Sequence, residues 1–176
     1  MKHFIALAGI VALSSVAAAD KGPYTLADLQ ALVAQKSYRE AVGHLSDISP
    51  SARNAAWLAV AVDAASGYVG GLAGDDLATK VWGIEAIDAQ YPQLLSSPKY
   101  TKIRAEIGLR GYEACFANSY ALDACIEHAT KFLDADASNT DLAFQMAKAL
   151  RRNSNPHVSV TFFKRAVAAK APKSGR

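Results

Sequence analysis

Apolar residues along this chain recur at three- and four-residue spacings, and no segment alternates apolar and polar positions as a strand would. The pattern predicts eight helices, near 25–35, 38–48, 50–67, 75–91, 98–117, 120–134, 141–152 and 156–170. In the fourth, Leu77, Val81, Ile84 and Ile87 repeat as i, i+4, i+7 and i+10, with Asp76, Lys80 and Asp88 elsewhere on the wheel. In the eighth, Val160, Phe163 and Val167 form the predicted inward stripe, and Lys164 and Arg165 turn away. Trp57 and Trp82 fall within apolar helical segments and are expected to anchor the core. Gly83, Gly108 and Gly111 sit inside helices, where each costs about 1 kcal/mol against Ala. Close helix–helix approach is the expected compensation.

Helix starts share one chemistry. Ser49-Pro50, Ser97-Pro98 and Asn155-Pro156 each place a side-chain acceptor before a proline. Such a residue caps free backbone N–H groups, and proline at the first helical position lacks an N–H and is pre-set in φ. Ser37 with Glu40 reads as a capping box, and Thr25 with Asp28 as a weaker relative.

The first 19 residues read as a segment apart. Lys2 and His3 precede an uncharged apolar run at 4–13, and Ala17, Ala18 and Ala19 supply the small residues of a cleavage site. That order predicts a secretory signal, since the run is too short for the roughly 20 residues that span a bilayer. Removing 19 of 176 residues leaves 157, beginning at Asp20. That length suits one helical domain over 20–170, followed by a basic tail at 171–176. The expected location is therefore periplasmic or secreted, with no integral membrane segment after cleavage.

Charge adds a local feature and no global one. Without Lys2 the chain carries 18 cations against 16 acids. Asp141 is the last acidic residue, and Lys148, Arg151, Arg152, Lys164, Arg165, Lys170, Lys173 and Arg176 follow it.

Cys115 and Cys125 lie five residues either side of Tyr120, at the predicted turn between two helices. Residues equidistant from such a turn face each other, and an exported chain meets an oxidising compartment. A disulfide is the expected reading, stabilising by about 2–3 kcal/mol in the chain-entropy model. Two buried thiols, or a Cys2His metal site completed by His128, are the alternatives.

Other chemical patterns fail on context. The glycine-rich stretch at 67–74 lacks the Gly-Lys-Ser/Thr of a phosphate loop, and Asp75 and Asp76 would repel a phosphate at the next helix start. It reads as a helix connection. Asp134 and Asp136 are expected to face solvent. His44, His128 and His157 have no serine or acidic partner in the order of a hydrolase motif, and Cys125-Ile126-Glu127-His128 lacks the second cysteine of a haem attachment. No catalytic residue and no cofactor is expected.

The last pair of segments resembles a tetratricopeptide repeat. Ala143, Met146, Ala147 and Leu150 occupy the first-helix spacings, Ser159, Phe163 and Ala166 the second-helix spacings, and Pro172 the closing position. One repeat length earlier stand Leu109, Tyr112, Glu113, Phe116, Cys125, Ala129 and Phe132, with Glu113 a departure at a small-residue position. Residues 36–42 resemble the opening of an earlier second helix. The resemblance implies antiparallel helix hairpins stacked as a short right-handed solenoid, with an irregular helical bundle as the competing architecture. It also implies a protein or peptide partner bound on the concave face. Arg110, Phe144, Lys148, Arg151 and Arg152 would then meet an acidic segment or a C-terminal carboxylate, which guanidinium groups bind through paired hydrogen bonds. Nucleic acid is not expected as a partner of an exported chain. A small-ligand or metal-binding bundle and an enzyme of unrecognised type are the rival classes.

Overall fold

The stripe predicted for the fourth segment is buried: Leu77, Val81, Ile84 and Ile87 are each at most 7% exposed. In the computed structural model, which describes residues 23–72, 77–117, 121–153 and 156–168, the stripe belongs to two helical pieces meeting at Val81. The predicted signal segment and basic tail, the glycine-rich connection from 73 onward, the Tyr120 turn and the Asn155 cap lie outside the described residues.

The described residues contain helix and no strand. The helices are α1 (Leu26–Ala34), α2 (Tyr38–Gly43), α3 (Ala55–Gly70), α4 (Leu77–Lys80), α5 (Trp82–Gln90), α6 (Pro98–Phe116), α7 (Leu122–Ala135), α8 (Thr140–Arg152) and α9 (Pro156–Ala168). Short 3-10 turns at Leu45–Asp47, Pro50–Ala52 and Pro92–Ser96 replace parts of the predicted helices or link them. Helix α6 runs through the middle, packing against α3, α4, α7 and α8. Helices α1 and α2 cover α3, α5 lies against α7, and α8 pairs with α9.

The caps differ from expectation. Thr25 and Asp28 form a complete capping box, with each side chain bonding the other's backbone N–H. Ser37 makes no capping bond, and Glu40 instead accepts the Tyr24 hydroxyl at 2.9 Å. The reason lies one residue earlier. Lys36 takes a left-handed backbone (φ 61°), and the N–H groups of Lys36 and Ser37 return to the carbonyls of Val33 and Leu32. The chain therefore leaves α1 through a Schellman-type closure, with lysine where glycine is usual. Pro50 and Pro98 do open helical turns, yet Ser49 and Ser97 supply no side-chain cap. Asn54 and Asn139 cap α3 and α8 instead.

Close approach holds at two of the three predicted glycines. A Cβ on Gly108 would stand 2.2 Å from the Phe132 ring, and one on Gly111 would stand 2.7 Å from Val81. Gly83 has nothing within 4 Å of an added Cβ and allows no such contact. Gly67, expected to begin the glycine-rich connection, instead lies inside α3, which runs to Gly70, and sits under the Tyr38 ring, 2.5 Å from an added Cβ. Trp57 is a core anchor at 1% exposure, tilted against Tyr91. Trp82 is half-buried and stacks on His128 with ring centroids 4.4 Å apart.

The last helix corrects the sequence reading. Ser159, Phe162 and Ala166 are its buried residues, whereas Val160 is 48% and Val167 70% exposed. Two neighbouring stripes satisfy the same three-and-four spacing. The structure buries the one containing Ser159, whose hydroxyl donates to the Pro156 carbonyl at 2.7 Å and so goes inside with its hydrogen bond made. Asp88, off the apolar stripe by periodicity, is also buried, at 5% exposure.

Cys115 on α6 and Cys125 on α7 form a buried disulfide, with Cα atoms 5.8 Å apart. Both sulfurs are thereby consumed, and His128 turns its Nδ1 to Glu85 at 2.9 Å, so the Cys2His metal set does not assemble. Alkylation of the denatured, unreduced chain is expected to label neither cysteine. Reduction is expected to lower the unfolding free energy by about 2–3 kcal/mol, read from urea titrations with and without reductant. Gly108→Ala is expected to destabilise by about 1–3 kcal/mol because Phe132 must move. Gly83→Ala is expected to be neutral or stabilising by up to about 1 kcal/mol. Equal effects at the two sites would refute the packing role of Gly108.

Candidate protein-interaction surface

The amphipathic character of α8 fixes what it shows to solvent. Leu142, Ala143, Met146, Ala147, Ala149 and Leu150 are buried, and Asp141, Phe144, Lys148, Arg151 and Arg152 are exposed. Four of the five residues expected to bind, Phe144, Lys148, Arg151 and Arg152, thus share one helix surface. The Lys148 ammonium lies 5.8 Å from the Phe144 ring centroid, within cation–π range.

The structure divides that group. Arg152 reaches toward α6 and donates to Glu113 Oε1 at 2.5 Å. Glu113 is therefore the partner that ties the end of α8 to α6. Arg110, about one turn earlier on α6, is exposed and forms no ion pair among the described residues. Phe144 leans the other way, edge-to-face on Phe163 of α9 with centroids 5.5 Å apart. Lys148 and Arg151 have no carboxylate partner among the described residues.

Helix α9 extends this surface. Val160, Phe163, Lys164, Val167 and Ala168 line a shallow hollow of about 370 Å3. Arg165, one position from Lys164, is bound to Asp134 of α7, and Lys164 has no carboxylate partner among the described residues. Phe144, Val160 and Val167 are the exposed large apolar side chains of the described residues, and all three stand on this final hairpin. Of the stripe expected inside, Phe163 is half-buried and packs against the core, whereas Val160 and Val167 are exposed. The absence of charge at positions 160, 163 and 167 carries no signal that separates a buried stripe from an exposed one.

Two other regions hold clustered chemistry. A cleft of about 360 Å3 lies between α6 and α8, with Lys102, Glu106 and Leu109 on one wall and Asp141 and Gln145 on the other. A second, of about 430 Å3, is bounded by Glu85, Asp88, Pro92, Leu95 and Lys131. Its carboxylates are already engaged. Asp88 accepts the Arg104 Nε–H at 2.7 Å and the Tyr100 hydroxyl at 2.8 Å. Burial pushes the Asp88 carboxyl above the ordinary carboxylate range, against the opposing pull of Arg104. Glu85 accepts the Tyr112 hydroxyl and meets His128; burial, reinforced by that bond to Glu85, raises the Tyr112 phenol. Lys131 pairs with Glu127 at 2.6 Å. These groups tie α5, α6 and α7 together. Among the described residues no group of three or more His, Cys, Asp or Glu could hold a metal ion.

Family models, curated proteins and solved structures give no match to this chain. Fold and surface define an all-helical protein, cross-linked by one disulfide among the described residues, whose exposed apolar side chains gather on its final helix pair. No helix among the described residues is long and apolar enough to cross a membrane.

Asp88→Asn is expected to lower the unfolding free energy by about 3–5 kcal/mol, because it leaves the Arg104 guanidinium buried without a counter-charge. Replacing both partners together, Asp88→Leu with Arg104→Met, is expected to recover most of that loss in the same denaturant titration.

Proposed function

We propose that this chain is an exported interaction scaffold, a short array of tetratricopeptide-like helix hairpins that binds a protein segment of acidic character. The observation that carries this reading is the final hairpin. There Phe144, Val160, Phe163 and Val167 form an apolar strip beside Lys148, Arg151 and Lys164, cations with no carboxylate partner among the described residues. Large apolar groups left in water next to unneutralised cations suit an apolar, acidic partner that covers both.

The packing order supports stacked hairpins. Helix α6 packs against both α3 and α8, and α5 lies against α7. Export is supported by the signal-like pattern of the first 19 residues and by a disulfide of the kind that persists in oxidising compartments. Binding requires no chemistry from the Asp88 and Glu85 clusters, whose role in this reading is to hold α5, α6 and α7 in place.

In-cell crosslinking followed by mass spectrometry tests the proposal. Lys148→Glu with Arg151→Glu is the variant of choice, because both residues are exposed and the Arg152–Glu113 pair is spared; its circular dichroism spectrum is expected to match that of the native chain. A specific protein captured by the native chain and reduced at least tenfold by the variant is expected. Equal capture by both forms would move the interface off α8. Absence of any specific partner would remove the scaffold reading.

A further inference from the structure

The open side of the α8–α9 hairpin has the form of a seat for one more helix. Three observations converge on it. Phe144 and Arg151, two turns apart on one stripe of α8, are exposed and take no part in the Arg152–Glu113 contact with α6. On α9 the exposed Val160 and Val167 flank half-buried Phe163, whose ring meets Phe144 edge-to-face. Between the α9 residues lies the hollow of about 370 Å3, whose lining is apolar apart from Lys164.

Resting on the scaffold reading, we infer that the partner is an acidic amphipathic helix that packs on this open face as the next helix of the stack, leaving the α6–α8 cleft empty. Its apolar side chains enter the hollow beside Phe144 and Phe163. Its carboxylates meet Lys148, Arg151 and Lys164. The anchors needed for such a helix, at three- and four-residue spacing, match the spacing of Val160, Phe163 and Val167.

Charge decides against a second copy of this chain. A two-fold contact through this face would bring Lys148, Arg151 and Lys164 of both copies together, and like charges directly opposed across an interface disfavour it. The apolar strip spans two helices, with Phe144 of α8 meeting Phe163 of α9 edge-to-face, the arrangement of a helix-in-groove contact; a lipid surface is the outcome that vesicle binding would assign.

The test uses two designed helical peptides in fluorescence anisotropy with the purified chain. Both carry Leu and Phe at three- and four-residue spacing; one has Glu on its flanks and the other has Lys at the same positions. The Glu peptide is expected to bind at least tenfold more tightly. Val160→Glu with Val167→Glu, both exposed, is expected to abolish that binding while leaving the thermal melt unchanged. Lys148→Glu, Arg151→Glu and Lys164→Glu together are expected to reverse the preference toward the Lys peptide. Equal binding of the two peptides, or no binding by the Glu peptide, overturns the inference. So does binding that survives the valine substitutions but is lost on Lys102→Glu in the cleft. A dimer in sedimentation equilibrium that the valine substitutions dissolve would assign the face to a second copy. Valine-dependent binding to phosphatidylglycerol vesicles, with no preference for the Glu peptide, would assign it to a membrane. In the in-cell crosslinking experiment, a partner retained by the valine variant leaves the scaffold standing and removes this surface, whereas no partner for the native chain removes both.

Discussion

A buried guanidinium sets the terms for the middle of this molecule. Arg104 of α6 is fully enclosed. Its Nε bonds Asp88 of α5, its Nη2 bonds the Phe132 carbonyl of α7 at 2.7 Å, and its plane lies 3.6 Å from the Phe132 ring centroid. Gly108, one turn along α6, leaves room for the edge of the same ring. Phe132 is thus held between a charged group and bare backbone, and three helices must keep their relative positions for that to persist. A buried ion pair adds little net stability, because desolvation offsets most of the attraction. Its consequence is geometric: any shift of α5 or α7 strands a charge in the core.

The disulfide and the second polar cluster act on the same three helices. Cys115–Cys125 fastens α6 to α7 at the end away from Arg104. Glu85 of α5 joins Tyr112 of α6 and His128 of α7, with Trp82 stacked on the imidazole. The frame is over-determined in its centre and bound more simply at its end. Helix α8 attaches to α6 through apolar contacts and the Glu113–Arg152 pair, and α9 is tied to α7 by Arg165 and Asp134. This terminal hairpin carries the exposed large apolar side chains of the described residues, Phe144, Val160 and Val167. The same arrangement accounts for Glu113, which serves the seam between α6 and α8.

Much of the architecture was legible in the chain. Each of the eight predicted helical segments contains helix, and the cysteine pair was read from its spacing about a turn, because three-and-four periodicity and hairpin symmetry are local properties. Leu77, Val81, Ile84 and Ile87 went inside as expected, since one stripe alone on that segment is apolar. On α9 two stripes compete, and periodicity cannot rank them. Ser159 can satisfy its hydroxyl within its own helix, so the stripe with fewer apolar residues was free to go in. Similarly, nothing local distinguishes Arg104 from the other cations of α6; its burial follows from Asp88, sixteen residues earlier, and a carbonyl twenty-eight residues later.

The sequence by itself therefore determined helix content, helix placement, the covalent link and the cationic bias after Asp141. Those follow from side-chain spacing, turn symmetry and composition, which need no partner to be read. Tertiary structure alone decided which of two stripes on α9 met the core, which carboxylate neutralised Arg104, and that Arg152 served a seam while Lys148 and Arg151 stayed open to solvent. Each of these depends on what a distant helix presents at the point of contact, and packing against that helix, not periodicity within one, sets the outcome.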